Sequence, residues 1–273
     1  MSTLTPPASP TTGDVPVGDA PSRTSWLADT LNVAVRELRP MLHEPANVLF
    51  AMVQPLVFLG LFAPLLPDVP GGTSALQWFV PGIVVMTALM GASMTGANLS
   101  EEMLTGSHER LLVSPLRRSS LMVGRAVKEV APALAQTAII VAVVTPFSFD
   151  LHPLGVLTGV AMLALFAVGI GSLSFALALV AGGEQWIFWT VQQTFLFPVL
   201  LLAGVLLPLE GAPTWLAVAA DLNPVTYVVD AERALFAGQF PAADVLAGFA
   251  GAAAVAVLGL LVGLRAMRRS GTR

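Results

Sequence analysis

The chain of 273 residues has no cysteine, a single lysine (Lys128), a single tyrosine and few charges: 11% of residues are Asp, Glu, Lys or Arg, against 55% apolar. Each shortage excludes something. Without cysteine there is no disulfide, no thiol nucleophile and no thiolate metal site. With one lysine, and that one preceded by Ala126-Val127, no G-x-x-x-x-G-K-[ST] phosphate loop exists, so any ATP used by this protein is bound by another chain. Soluble domains carry about 25% charged residues. The low charge and a mean hydropathy of +0.79 therefore exclude a water-soluble enzyme. The apolar residues run on continuously instead of alternating, which argues against a β-barrel. What is left is an all-α integral membrane protein.

Residues 1–23 are rich in Pro, Thr, Ser and Gly and have almost nothing to bury, so they read as a disordered cytoplasmic tail. Over residues 24–42, Leu27, Leu31, Val35, Leu38 and Leu42 recur at helical spacing, with Asp29, Asn32, Arg36 and Arg39 between them. That pattern predicts an amphipathic helix, too polar to span and suited to the membrane interface. Residues 43–273 form the membrane domain. Six apolar stretches, at about 47–66, 79–99, 129–147, 154–180, 187–207 and 243–264, each approach the roughly 20 residues a spanning helix needs. The segment 208–242 is apolar but interrupted by Pro208, Pro213 and Pro224, which predicts short re-entrant helices between spans five and six.

Twelve of the 13 basic residues fall on one side of a six-span arrangement, Arg233 being the exception. The bias of Lys and Arg toward cytoplasmic segments then places both termini and the segment 100–128 in the cytoplasm of a multi-pass protein of the cytoplasmic (inner) membrane.

Catalytic signals are missing. His43-Glu44 and His108-Glu109 do not continue to H-E-x-x-H, and no carboxylate pair lies within a span, so no catalytic or metal site and no cofactor of the chain's own is expected. Neutral polar residues do occur in the spans. Asn98, Gln192, Gln193 and Thr194 are substrate-path candidates, with interhelical hydrogen bonding as the competing explanation. Gly155-x-x-x-Gly159 and Gly259-x-x-x-Gly263 allow close helix approach, within one chain or between two.

Two segments carry a family resemblance. Glu101-Glu102 through Gly106, Glu109-Arg110, Ser114-Pro115 and Arg118 to Gly124 resembles the E-x-x-x-G-T-x-E-x-L-x-x-[ST]-P-x-x-R region of type-2 ABC exporter permeases, which include the daunorubicin-resistance-like membrane subunits. Gly204 to Pro208, Trp215, Asn223-Pro224, Tyr227 and Arg233 is similar to that family's outer segment. The resemblance covers about residues 24–270. It implies a permease, paired as a homodimer, whose two copies each dock on a cytoplasmic ABC ATPase subunit that holds ATP and Mg. Glu101, Glu102, Glu109, Arg110, Ser114 and Pro115 would form the ATPase-coupling helix, and Trp215, Asn223, Pro224, Tyr227 and Arg233 the outer gate. The cargo would be a hydrophobic or amphipathic drug, lipid or natural product, as in multidrug or antibiotic resistance. Beyond the ATPase, the second copy and the lipid bilayer no partner is expected, nucleic acid included. The alternatives are an ion-coupled secondary transporter, which would need an intramembrane carboxylate, and a non-transporting scaffold or immunity protein.

Overall fold

The computed structural model describes residues 25–43, 45–65, 74–107, 118–147, 149–206, 209, 211–240 and 242–270, and the described residues are almost wholly helical. The tail 1–23 and most of the loop between the first two apolar stretches lie outside them. The helices are α1 (Trp26–His43), α2 (Pro45–Phe62), α3 (Ala75–Leu104), α4 (Arg118–Lys128), α5 (Val130–Val144), α6 (Pro153–Ala181), α7 (Gln185–Leu202), α8 (Thr214–Asp221), α9 (Pro224–Phe236) and α10 (Ala242–Ser270).

Local chemistry sets several boundaries. Ser74 caps α3 by accepting from the Gln77 N–H, at 3.1 Å. Pro132 has no N–H for the carbonyl of Lys128 and its ring crowds that turn, so the helix is interrupted between α4 and α5 at Glu129. Gly182 ends α6 in the left-handed conformation, φ 65°, which a side chain would resist.

Among the described residues, four stretches are long and apolar enough to cross a bilayer: Ala75–Leu104, Ser119–Val144, Pro153–Ala181 and Ala243–Arg269. The helices α2 and α7 are shorter, 18 residues each. Large apolar side chains such as Phe50, Val57, Leu157, Phe195, Leu258 and Leu261 are exposed around the bundle. An apolar girdle of this kind is a liability in water and is what a bilayer covers.

Residues 79–89 of α3 are buried on every face, which puts this helix inside the bundle. Beside it, α6 packs on α3, α10, α9, α4, α5 and α7. Lipid tails are as apolar as leucine, so burial alone does not drive these contacts, and close backbone approach through small residues replaces it. A Cβ on Gly169 would stand 2.6 Å from the Ala256 N, and one on Gly263 would stand 3.1 Å from the Ser172 carbonyl. Gly259 faces Gly169, Gly155 faces the Leu235 carbonyl, Gly159 faces the Glu232 carboxylate, and Gly96 faces Ser174. Both glycine motifs of the sequence are therefore used for packing within the chain.

These pairings also fix direction. Gln77, at the start of α3, meets Asp150 just before α6, and Gly96 meets Ser174 farther along both helices. The order of the α6–α10 pairs is the same, so α3, α6 and α10 run parallel, and the chain returns across the bundle before each of the last two.

The intramembrane hydroxyls are mostly spent locally. Thr87, Ser93, Thr137 and Thr194 each donate to the carbonyl four residues back in their own helix. Interhelical exceptions include Thr95, which donates to Glu129, Ser174, which ties α6 to α3 through the Ser93 carbonyl and the Gly96 N–H, and Thr226, which donates to the Ala220 carbonyl at 2.8 Å.

Gly259→Val should lower the thermal midpoint of the purified protein, because overpacking costs about 1–3 kcal/mol. Gly60→Val, whose Cβ would meet nothing within 4 Å, should leave it unchanged. Equal midpoints for the two variants would remove the α6–α10 contact from the account.

Candidate coupling site and the opposite end of the bundle

At one end of the bundle α1 lies against α4. Trp26 Nε1 donates to Ser119 Oγ at 3.1 Å, and a Cβ on Gly124 would sit 2.7 Å from the Thr30 carbonyl, so glycine is what admits this approach. The buried face of α1 is the one with Asp29, Thr30, Val33 and Ala34. Its apolar stripe, Leu27, Leu31 and Val35, points away from the protein and stays exposed.

Behind this pair sits a charge cluster. Arg125 of α4, with 4% of its side chain exposed, bridges Glu37 of α1, at 3.6 Å, and Glu102 in the last turn of α3. Lys128 is 3.7 Å from Glu37 and 3.7 Å from Glu129. Glu129, at the α4–α5 interruption, accepts from Thr95 Oγ1 of α3 at 2.6 Å. Arg36 closes the chain on Glu37 at 2.9 Å, and the Arg125 guanidinium stands over the Phe175 ring of α6, 5.9 Å from its centre. Burial alone would raise the Glu37 carboxyl, but Arg125, Arg36 and Lys128 outweigh it and hold the group below its ordinary value. The cluster thus links α1, α3, α4 and α5 through partly desolvated ion pairs, which are costly to break one partner at a time.

Of the proposed coupling residues, Glu101 is exposed at the end of α3 and Glu102 is half-buried on Arg125. Glu109, Arg110, Ser114 and Pro115 lie outside the described residues. Among the substrate-path candidates, Asn98, Gln193 and Thr194 are exposed on the bundle surface, whereas Gln192 turns inward. The Gln192 side-chain oxygen is buried without a hydrogen-bond partner.

The opposite end is held by neutral groups and by Arg233, which pairs with Asp230 at 3.4 Å. Asn223 caps α9 by accepting from the Val225 N–H at 3.1 Å, with Pro224 in the first helical position, and its amide donates to the Val199 carbonyl of α7 at 2.8 Å. Arg233 donates to the Gly204 carbonyl at 2.7 Å and lies 3.9 Å from the centre of the Trp78 ring. Tyr227 donates to the Asp221 carbonyl at 2.8 Å, and Trp215 is exposed on α8. Gln77 donates to the Phe236 carbonyl at 2.6 Å and accepts from the Asp150 N–H at 3.0 Å, joining α3, α9 and the approach to α6.

Sequence reasoning passed over Glu37, Lys128 and Glu129 as members of a cluster, and counted Arg125 toward topology alone. The available signal was the chain's one lysine beside an acid at the mouth of an apolar run. Glu232 was also missed: it is fully buried against Gly159, and neither carboxylate oxygen has a hydrogen-bond partner. No signal in the sequence set it apart, since Asp230 and Arg233 stand beside it in the same segment. No group of three His, Asp or Glu able to hold a metal occurs among the described residues.

A helical bundle with an apolar girdle, charge-linked helices at one end and short helices at the other is that of a polytopic membrane protein. Residues 30–237 match the family described as ABC-2 type transporter, and the chain belongs to that family as a membrane permease subunit. It is 26% identical over 230 residues to the daunorubicin resistance ABC transporter permease protein DrrB1 of Streptomyces coeruleorubidus, covering 81% of this chain and 79% of that protein. It is 30% identical over 201 residues to the putative transport permease ycf38 of Cyanophora paradoxa, covering 71% and 69%. It is 24% identical over 255 residues to the probable doxorubicin resistance ABC transporter permease protein DrrC of Mycobacterium tuberculosis, covering 88% and 89%.

The depressed Glu37 pKa carries a sign. The stabilisation is complete above the ordinary value of 4.5 and is lost as pH falls below it through the folded-state value. Glu37→Gln should lower stability near neutrality by roughly 2 kcal/mol, less than a fully dry pair because some solvent reaches it. Thermal midpoints taken down to about pH 3 should therefore converge for the two proteins. A constant gap at all pH would show that Glu37 does not act through its charge.

Proposed function

We propose that this chain is the transmembrane half of an exporter that moves a hydrophobic or amphipathic compound (a drug, lipid or natural product) out of the cell, driven by a separate ATPase. The charge cluster around Arg125 carries the reading. It joins the interfacial helix α1 to the ends of α3 and α4, the two helices that flank the segment 108–117 where the coupling motif lies. A push on that segment reaches the spans through ion pairs instead of a slack loop. Glu109 and Arg110 would meet the ATPase, Ser114-Pro115 would end the coupling helix, and Glu101 would extend the contact.

In this reading the charged end faces the cytoplasm of a bacterial or archaeal inner membrane, with both termini there and α1 bedded in the interface by Leu27, Leu31 and Val35. The parallel courses of α3, α6 and α10 support six crossings, with α2, α4–α5 and α7 as the returning spans. At about 1.5 Å per residue, the 18 residues of α7 reach close to the thickness of the hydrocarbon core. The short helices α8 and α9 would dip into the outer leaflet as the gate, with Asn223-Pro224, Tyr227, Trp215 and Arg233 holding its closed form. Two copies would pair, each on one ATPase carrying ATP and Mg. The buried, unpartnered oxygen of Gln192 and the exposed Asn98, Gln193 and Thr194 supply a sparsely polar path. The relatives named for daunorubicin and doxorubicin resistance favour a lipophilic cargo of that kind.

Mild-detergent purification of the tagged chain from its native host should bring down a roughly stoichiometric ATPase with a G-x-x-x-x-G-K-[ST] loop. The pair Glu109→Lys and Arg110→Glu should reduce that ATPase while membrane insertion is unchanged, and undiminished recovery would dismiss the coupling assignment. Topology is open to single cysteines in this cysteine-free chain: Gly211→Cys should react with an impermeant maleimide from outside, and Arg118→Cys and Arg269→Cys only after lysis. External reaction at position 118 would reverse the orientation.

A further inference from the structure

Between the last turns of α6 and α10 lies a groove of about 840 Å³ that the transport reading does not use. Its origin is geometric. The two helices touch at Gly169–Gly259 and again at Ser172–Gly263, then separate toward the charged end. One wall is Leu173, Ala176, Leu177 and Val180 of α6; the other is Val262, Arg265, Ala266 and Arg269 of α10. Each set follows the i, i+3, i+4, i+7 spacing of a single helix face. The floor is apolar, the rim carries two arginines, and no acid is among the described residues that line the groove.

We propose that this groove binds an anionic phospholipid, its acyl chains along Leu173, Leu177, Val180 and Val262 and its phosphate on Arg265 and Arg269. Basic pockets between transmembrane helices take lipid headgroups by charge attraction, which a zwitterionic lipid satisfies less well. A second copy of this face would bring its own arginines against these, so charge selects a lipid over self-association. Leu173 and Val262 lie toward the membrane interior, and Arg269 lies where the helix ends near residue 270.

The proposal rests on reading α6 and α10 as spans that end at the same surface. The test reads lipid directly and needs neither ATPase nor orientation. Native mass spectrometry of the detergent-purified chain with added phosphatidylglycerol or phosphatidylcholine should show one retained phosphatidylglycerol in preference to phosphatidylcholine. Arg265 is exposed, so its neutralisation does not threaten folding. Arg265→Gln with Arg269→Gln should weaken retention of phosphatidylglycerol about tenfold or more and erase the preference. Leu177→Trp, which fills the groove and leaves both arginines, should displace the lipid too. Retention unchanged in either variant at an unaltered thermal midpoint would overturn the site. If lipid retention fails while the ATPase still co-purifies, only the groove is refuted; if lipid is retained and no ATPase comes down, only the exporter reading is.

Discussion

The contact between α6 and its neighbours through absent side chains is what the rest of this structure depends on. In water a helix bundle gains from hiding leucines, but in hydrocarbon that gain vanishes, and dispersion between closely approached backbones has to replace it. Gly169 against Gly259, Gly155 against the Leu235 carbonyl and Gly96 against Ser174 bring α10, α9 and α3 onto one helix at distances no Cβ would allow. With α6 at the hub, residues 79–89 of α3 are buried on all faces, and the polar clusters at the two ends are set by how far these helices run.

The two ends solve the problem of polar groups in different ways. At the charged end, where solvent is near, formal charges are kept and paired: Arg125 between Glu37 and Glu102, and Lys128 between Glu37 and Glu129. At the other end the ion pair of Arg233 with Asp230 sits among carbonyls and amides, with Gln77, Asn223 and the Arg233 guanidinium satisfying main-chain groups left over where helices stop. Ion pairs act over a longer range and tolerate small displacements, whereas amide-to-carbonyl bonds are directional.

Much of the architecture was legible because it rests on local rules. The α1 amphipathicity, the apolar stretches that became α2, α3, α6, α7 and α10, and the Asn223-Pro224 cap each come from spacing or from one residue's chemistry. The charge cluster was not legible, because Glu37, Glu102, Arg125 and Lys128 lie tens of residues apart and each alone looks like an ordinary interfacial charge. The α1 stripe shows the same limit. Periodicity found its apolar face but not which face the protein covers, and the covered one is the face with Asp29 and Thr30. Likewise the spacing of Thr87, Ser93 and Thr137 could not reveal that their hydroxyls bond within their own helices.

By itself the sequence determined that this is an all-helical membrane protein, that it has no ATP-binding loop of its own, and roughly where its long apolar helices lie. Hydropathy, charge and helix-ending residues act over a few positions and need no partner to be read. The tertiary structure alone decided that the glycine motifs serve packing within the chain and that Arg125 joins three helices. It also decided that Glu232 lies buried against Gly159, and that α6 and α10 part to leave an arginine-rimmed groove. Those outcomes depend on distances between residues far apart in the chain, and a one-dimensional pattern holds no information about such distances.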